Sequence, residues 1–227
     1  MVVLTLLAGF APGFAWLVFY LGEDPHPEPK RLIALTFVVG IAFGFFTIGI
    51  EEVFTHFAIQ AGIGELSLIS LLLLALIEEI MKFAAAHLVV AKSPDFDEPV
   101  DAMIYMVVAA LGFATLENIG AVSNAAGGQS ALVAMIFQTA SLRFVGATLL
   151  HSLTSAIVGY YWALGIARKK VAQYVIPSFA AAALIHGIFN YLILNYGDAI
   201  YAVVFLMVIG FFVLHDFEKL KMQPVPA

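Results

Sequence analysis

Three ionisable side chains, Glu78, Glu79 and Lys82, stand in the middle of the apolar run LISLLLLALIEEIMKFAAAHLVVAKS. On a helix Lys82 follows Glu78 at i+4 and Glu79 at i+3, so it can lie against either carboxylate and leaves the other without a local partner. Three further apolar runs carry polar groups of related kinds. GFATLENIG holds Glu117 and Asn118, LRFVGATLLHSLTSAIVGYYWALG holds His151 with Ser155 at i+4, and LIHGIFNYLI holds His186 with Asn190 at i+4. Arg143 precedes His151 by about two helical turns.

Gathered in one place, these groups can hydrolyse an amide. A desolvated glutamate takes a proton from water, and a histidine orients that water or passes the proton to the leaving amine. Paired donors such as His186 and Asn190 hold the oxyanion. The same set can bind zinc through His151, His186 and either Glu79 or Glu117, because two His and one Glu with an open fourth position form a recurrent catalytic shell. H-E-x-x-H is absent, so the metal reading lacks its usual local signature. Taken singly, each feature also has a structural reading: a self-neutralising ion pair, an interfacial glutamate, a hydrogen-bonded packing histidine. Arg143 suits a pairing with Glu117, a contact to a substrate carboxylate, or an interfacial anchor.

The elements that carry these residues are membrane helices. Of 227 residues 63% are hydrophobic and only 11% are charged, a composition that belongs in a bilayer. The apolar runs have roughly the length needed to cross a ~30 Å hydrocarbon core. Seven spans are read, at about 2 to 21, 32 to 50, 66 to 91, 100 to 123, 140 to 167, 174 to 195 and 198 to 216. The breakers GEDPHPEPKR, KSPDFDEPVD, NAAGGQS and NYGDA separate them. SALVAMIFQTA, before the fifth span, can form an eighth short span, a re-entrant helix near 130–140 or an outward extension of the fifth. The fold class is therefore an all-α polytopic bundle, with residues 1–227 forming one membrane domain.

Lys30 with Arg31, Lys92, the Arg168–Lys170 triplet, and Lys219 with Lys221 fall on alternate loops, while the intervening loops carry no Lys or Arg. The positive-inside rule then places the N-terminus outside and the C-terminus in the cytoplasm, which calls for an odd number of spans. No basic residue precedes the first run, which reads as a retained helix rather than a secretory signal. Cysteine is absent and the net charge is −6, which removes thiolate chemistry and argues against nucleic acid as a partner. At ~1.5 Å per residue, Glu78, Glu117, His151 and His186 lie roughly 18, 9, 16 and 14 Å from the outer ends of their spans. They share one layer at and above the midplane, on the extracytoplasmic side. An ionisable group at that depth is a functional candidate by default.

EEIMK, GFATLEN, HSLTS and HGIFN, in this order on successive spans, together with the proline- and acid-rich DPHPEPKRLIALTF, resemble the PrsW family of intramembrane proteases. That family is distantly related to the CAAX prenyl endopeptidase and bacteriocin-processing group. The resemblance implies an endopeptidase of a prokaryotic cell membrane that cuts a membrane-anchored protein, such as an anti-sigma factor, on its extracytoplasmic side. It implies that Glu78 and Glu79 activate water, that His151 and His186 complete the site, and that Asn190 assists the oxyanion. Glu117 joins the catalytic set, with Lys82, Asn118, Arg143 and Ser155 in support. Metal-independent glutamate chemistry with no cofactor is the favoured expectation, and zinc is the alternative. Oligomeric state is not read from the sequence.

Other features are set aside. Glu51, Glu52 and His56 follow the second span on the outer side and read as an interfacial helix. His26, His87 and His215 read as interfacial or packing residues. GQSA at 128–131 fits the G-x-S-x pattern of rhomboid serine proteases, with His186 as base, but it leaves the intramembrane glutamates idle. An ion- or proton-coupled transporter uses similar buried groups, yet no inverted repeat is visible. A scaffold built on an inactive protease fold does not need the complete set of motifs.

Overall fold

A computed structural model describes residues 2–126, 132–196 and 199–222, all in helices and short connections with no strand among them. In chain order the helices are α1 (Val2–Leu21), α2 (Lys30–Gln60), α3 (Leu68–Val90), α4 (Asp101–Ala126), α5 (Leu132–Val145), α6 (Ala147–Ala167), α7 (Val171–Tyr196) and α8 (Ala199–Lys221). The all-helical expectation is met. GQSA lies at the edge of this description, with Gly128, Gln129, Ser130 and Ala131 outside the described residues.

Six segments are long and apolar enough to cross a bilayer: α1, α2, α4, the α5–α6 pair taken together, α7 and α8. α3 has the length, but Glu78, Glu79 and Lys82 raise its polarity. Its start is set locally, where the Ser67 hydroxyl oxygen accepts from the Ser70 amide at 3.2 Å and satisfies one of the free N–H groups of the first turn.

The bundle is organised around α4. Every residue from Asp101 to Thr115 is buried, as expected of a helix that is apolar all round. α1, α2 and α6 pack on it most extensively, and α3 and α5 close the ring. Small residues let these backbones approach, the usual means of helix association where lipid offers no hydrophobic drive. Gly40 of α2 sits on the Ala109 carbonyl, and Gly112 of α4 sits on the Phe37 carbonyl, so a Cβ on either would strike the neighbour's backbone. On α2 the inward stripe Thr36, Gly40, Gly44 and Thr47 is buried at helical spacing.

Two differences from the sequence reading bear on the site. The fifth span is not one helix from 140 to 167: Gly146, at φ −111 and ψ −103, interrupts it, and α5 and α6 meet there. α2 runs ten residues past the expected end at 50 and takes Glu51, Glu52 and His56 into its last turns. Away from the site, the α1–α2 and α3–α4 connections are tied together. His26 Nδ1 lies 2.8 Å from Glu98 Oε1, and the Tyr105 hydroxyl donates to Glu28 Oε2. Lys221 at the end of α8 adds a 2.6 Å contact to Glu23.

Candidate active site

α3, α4, α6 and α7 each turn one polar stripe toward a common chamber. α3 contributes Glu78, Glu79 and Lys82, and Lys82 is fully buried between the two carboxylates. Its ammonium donates to Glu79 Oε1 at 2.8 Å and lies 3.3 Å from Glu78 Oε2. Lys82 therefore meets both carboxylates at once, rather than one with the other left without a local partner. The Lys82 ammonium also donates to His151 Nδ1 at 2.7 Å and stands 5.1 Å from the centre of the Phe113 ring.

The two histidines are perpendicular, with ring centres 5.1 Å apart. Each is held from behind by a carboxylate. His186 Nδ1 lies 2.9 Å from Glu79 Oε1, and His151 Nε2 lies 3.0 Å from Glu117 Oε2. A carboxylate can only accept, so these contacts put the ring protons on Nδ1 of His186 and Nε2 of His151. The lone pair of His186 Nε2 is left free and that of His151 Nδ1 accepts from Lys82, and Glu78 Oε2 lies 3.9 and 3.7 Å from these two nitrogens, respectively. That oxygen is buried and makes no hydrogen bond among the described residues.

The outer rim is built by α4 and α5. Arg143 Nη2 donates to Glu117 Oε2 at 2.8 Å, and Arg143 Nε donates to Asn118 Oδ1. Asn118 in turn donates to the Thr148 hydroxyl at 3.0 Å, linking α4 to the first turn of α6. Arg143 thus takes the pairing with Glu117 that its position allowed. Exposure rises along this path, from 0% for the Glu79 side chain to 12% for Glu78 and 33% for Glu117, so the chamber opens on the Glu117 side. Counted from the ends of α3, α4 and α7 as they form, Glu78, Glu117 and His186 lie about 15, 13 and 15 Å deep.

The sequence reading and the structure part at three residues. Ser155 is buried, but its hydroxyl has no partner among the described residues; the hydroxyl on the site is Thr154, which donates to Glu79 Oε1 at 3.0 Å. The carboxylate nearest both unprotonated imidazole nitrogens is Glu78, whereas Glu79 and Glu117 stand behind the rings. Glu51, set aside as interfacial, is half-buried and within electrostatic reach of Glu78, Glu117 and Lys82. The signal for it was present, since Glu51 continues the inward stripe of Gly40, Gly44 and Thr47. Asn190 lies one turn beyond His186 along α7, half-buried and without a side-chain hydrogen bond among the described residues.

Glu78, His151 and His186 form the metal-ligand group found among the described residues, with one donor atom from each lying within 4.8 Å of the others. The chemistry of this set suits zinc. His186 Nε2 presents a lone pair, His151 Nδ1 holds its own against the Lys82 ammonium that a bound metal would displace, Glu78 Oε2 makes no hydrogen bond among the described residues, and both rings are backed by carboxylates that fix their tautomers, as in metal sites with supporting acids. Three carboxylates, Glu78, Glu79 and Glu117, stand beside two cations, Lys82 and Arg143, a formal balance that favours a further cation inside a membrane.

A buried histidine and glutamate chamber inside a membrane helix bundle is the equipment of an intramembrane hydrolase. The family model described as PrsW family intramembrane metalloprotease matches residues 28–214, and the chain belongs to that family. Curated relatives agree. Protease PrsW of Geobacillus kaustophilus is 33% identical over 82% of this chain and 78% of its own length. Protease PrsW of Bacillus subtilis is 28% identical over 94% of both chains, and that of Clostridioides difficile is 26% identical over 74% of this chain and 69% of its own. No solved structure matches significantly. The protein is a bacterial intramembrane protease.

Proposed function

We propose that this chain is a zinc-dependent endopeptidase that cuts a membrane-anchored protein near the extracytoplasmic face, with Glu78, His151 and His186 holding the metal. The observation that carries the reading is the orientation of the two histidines. Each is fixed from behind by a carboxylate and turns its unprotonated nitrogen toward Glu78 Oε2, which makes no hydrogen bond among the described residues. Zinc bound there supplies a water acidic enough to attack at neutral pH and polarises the scissile carbonyl.

The chain's own groups do the rest. Glu79 Oε2 is buried and has no hydrogen-bond partner among the described residues, so it is available to take the proton from the attacking water and return it to the leaving amine. Lys82 holds Glu79 in place and offers a donor to the developing oxyanion. Asn190, one turn outward, adds a second donor. Glu117, clamped by Arg143, keeps His151 in its Nε2–H tautomer. Phe113 and the buried face of α4 keep bulk water out of the inner side of the chamber.

On this reading the chain has seven spans, α5 and α6 sharing one, with the N-terminus outside; the Lys and Arg residues of alternate loops support that orientation, in which the Glu117 rim lies toward the outer face. A substrate such as an anti-sigma factor, tethered by its own span, meets the site from that side. One observation favours a metal-free variant: the Lys82 ammonium stands among His151 Nδ1, Glu78 and Glu79, where its own charge satisfies them. Glu78 then activates water directly. The test is cleavage of a membrane-tethered reporter by purified wild type, Glu78→Gln and Glu79→Gln, with elemental analysis of each. On the zinc reading Glu79→Gln keeps the metal and loses cleavage, whereas Glu78→Gln loses both. Wild type that cleaves with no metal present refutes it.

A further inference from the structure

A cavity of about 520 Å³ lies between α1 and α2, away from the histidines. Phe10, Phe14 and Leu17 of α1 and Ile33, Phe37 and Val38 of α2 form its walls, and Asp24, Glu28 and Lys30 form its end at the α1–α2 connection. Phe14 and Val38 are 62% and 59% exposed, so the cavity is a groove open to the outer surface of the bundle. From Phe10 to Leu21 along α1 is about 16 Å, and from Lys30 to Val38 along α2 about 12 Å. That length matches the ~15 Å hydrocarbon depth of a single leaflet.

The polar end is unfinished. Asp24 is only 7% exposed; its Oδ1 accepts from the His26 amide at 2.9 Å, while its Oδ2 is buried with no partner among the described residues. Burial pushes the Asp24 carboxyl above the usual carboxylate range, outweighing the hydrogen bond it accepts from the His26 amide. Lys30 lines the same end and makes no ion pair among the described residues.

We propose that this groove binds a phospholipid whose headgroup carries both a phosphate and a primary ammonium, one acyl chain lying between α1 and α2. Asp24 takes the ammonium as a hydrogen-bond acceptor and Lys30 takes the phosphate. The complementarity selects among lipids. A choline headgroup has no N–H for Asp24, and an anionic headgroup without an amine brings its phosphate against Asp24 and Glu28 uncompensated.

The test is native mass spectrometry of the full chain in mild detergent, offered equal amounts of phosphatidylethanolamine, phosphatidylcholine and phosphatidylglycerol with identical tails. Wild type is expected to retain phosphatidylethanolamine about tenfold over the other two, the effect of a hydrogen bond to a charged group. Asp24→Asn is expected to level the three. Ala34→Phe, which fills the groove from an exposed position on α2, is expected to remove the adduct, with circular dichroism and gel filtration confirming the fold of each variant. Equal retention of the three lipids by wild type overturns the proposal, as does unchanged retention in Ala34→Phe. A dimer that Ala34→Phe dissociates also overturns it and assigns the groove to a second copy of the chain.

Discussion

Glu117→Gln separates a residue that holds a ligand from a residue that is one. The glutamine keeps the shape and still accepts from His151 Nε2 across the 3.0 Å contact, but it replaces a charge-assisted hydrogen bond by a neutral one. The difference between those two kinds of bond is about 1 to 1.5 kcal/mol, which is about tenfold in an equilibrium constant. Arg143 loses its carboxylate, yet with 19% of its side chain exposed it can turn to water, so folding should survive. The assay is zinc affinity by titration against a competing chelator, together with kcat/KM on the tethered reporter. Glu117→Gln is expected to weaken zinc about tenfold and to lower kcat/KM in proportion, whereas His151→Ala abolishes both. Zinc affinity within twofold of wild type would refute the idea that Glu117 sets the ring's protonation. Complete loss of zinc from a folded Glu117→Gln protein would make Glu117 itself a ligand.

Other consequences follow from particular contacts. Lys82→Met removes the cation that Glu78 and Glu79 share and should destabilise the metal-free protein by about 3 to 5 kcal/mol, read as a clearly lower thermal midpoint in detergent with chelator; no change would mean that the Lys82 pairing adds no net stability. Ser155→Ala removes a buried hydroxyl that has no partner, so stability should stay level or rise by up to about 1 kcal/mol and cleavage should stay within about twofold; a large loss of cleavage would show that Ser155 meets substrate. Gly112→Leu drives a side chain into the Phe37 carbonyl and should separate α2 from α4, measured as loss of the folded monomer in gel filtration. Burial raises the Asp24 and Glu28 carboxyls, so the folded state holds more protons than the unfolded one above about pH 4. Stability in lipid-free detergent should therefore fall as pH rises from there toward their folded values, and Asp24→Asn should flatten that fall in a thermal scan.

The site was legible in sequence because its members break the pattern that surrounds them. Glu78, Glu79, Lys82, His151 and His186 are ionisable groups inside apolar runs, and depth counted along each helix brought them to one layer without any knowledge of packing. Which carboxylate faces the histidines was not legible. Glu78 and Glu79 are adjacent, about 100° apart on the helix, and only the rotation of α3 against α6 and α7 decides between them. The split at Gly146 depends on α5 turning to bring Arg143 over Glu117, a long-range contact. The centrality of α4 was equally hidden, since a helix apolar all round gives no direction. Glu51 was within reach, because its stripe with Gly40, Gly44 and Thr47 runs toward the core, but nearness to a span end was allowed to outweigh the periodicity.

The central claim, that Glu78, His151 and His186 hold a catalytic metal, is tested most directly by counting zinc in the purified chain and following reporter cleavage as it is removed and restored. The account predicts about one zinc per chain, lost in folded His186→Ala, with cleavage that disappears on chelation and returns with added zinc. Full cleavage by chain stripped of metal would contradict it and leave the Glu78 carboxylate as the activating group.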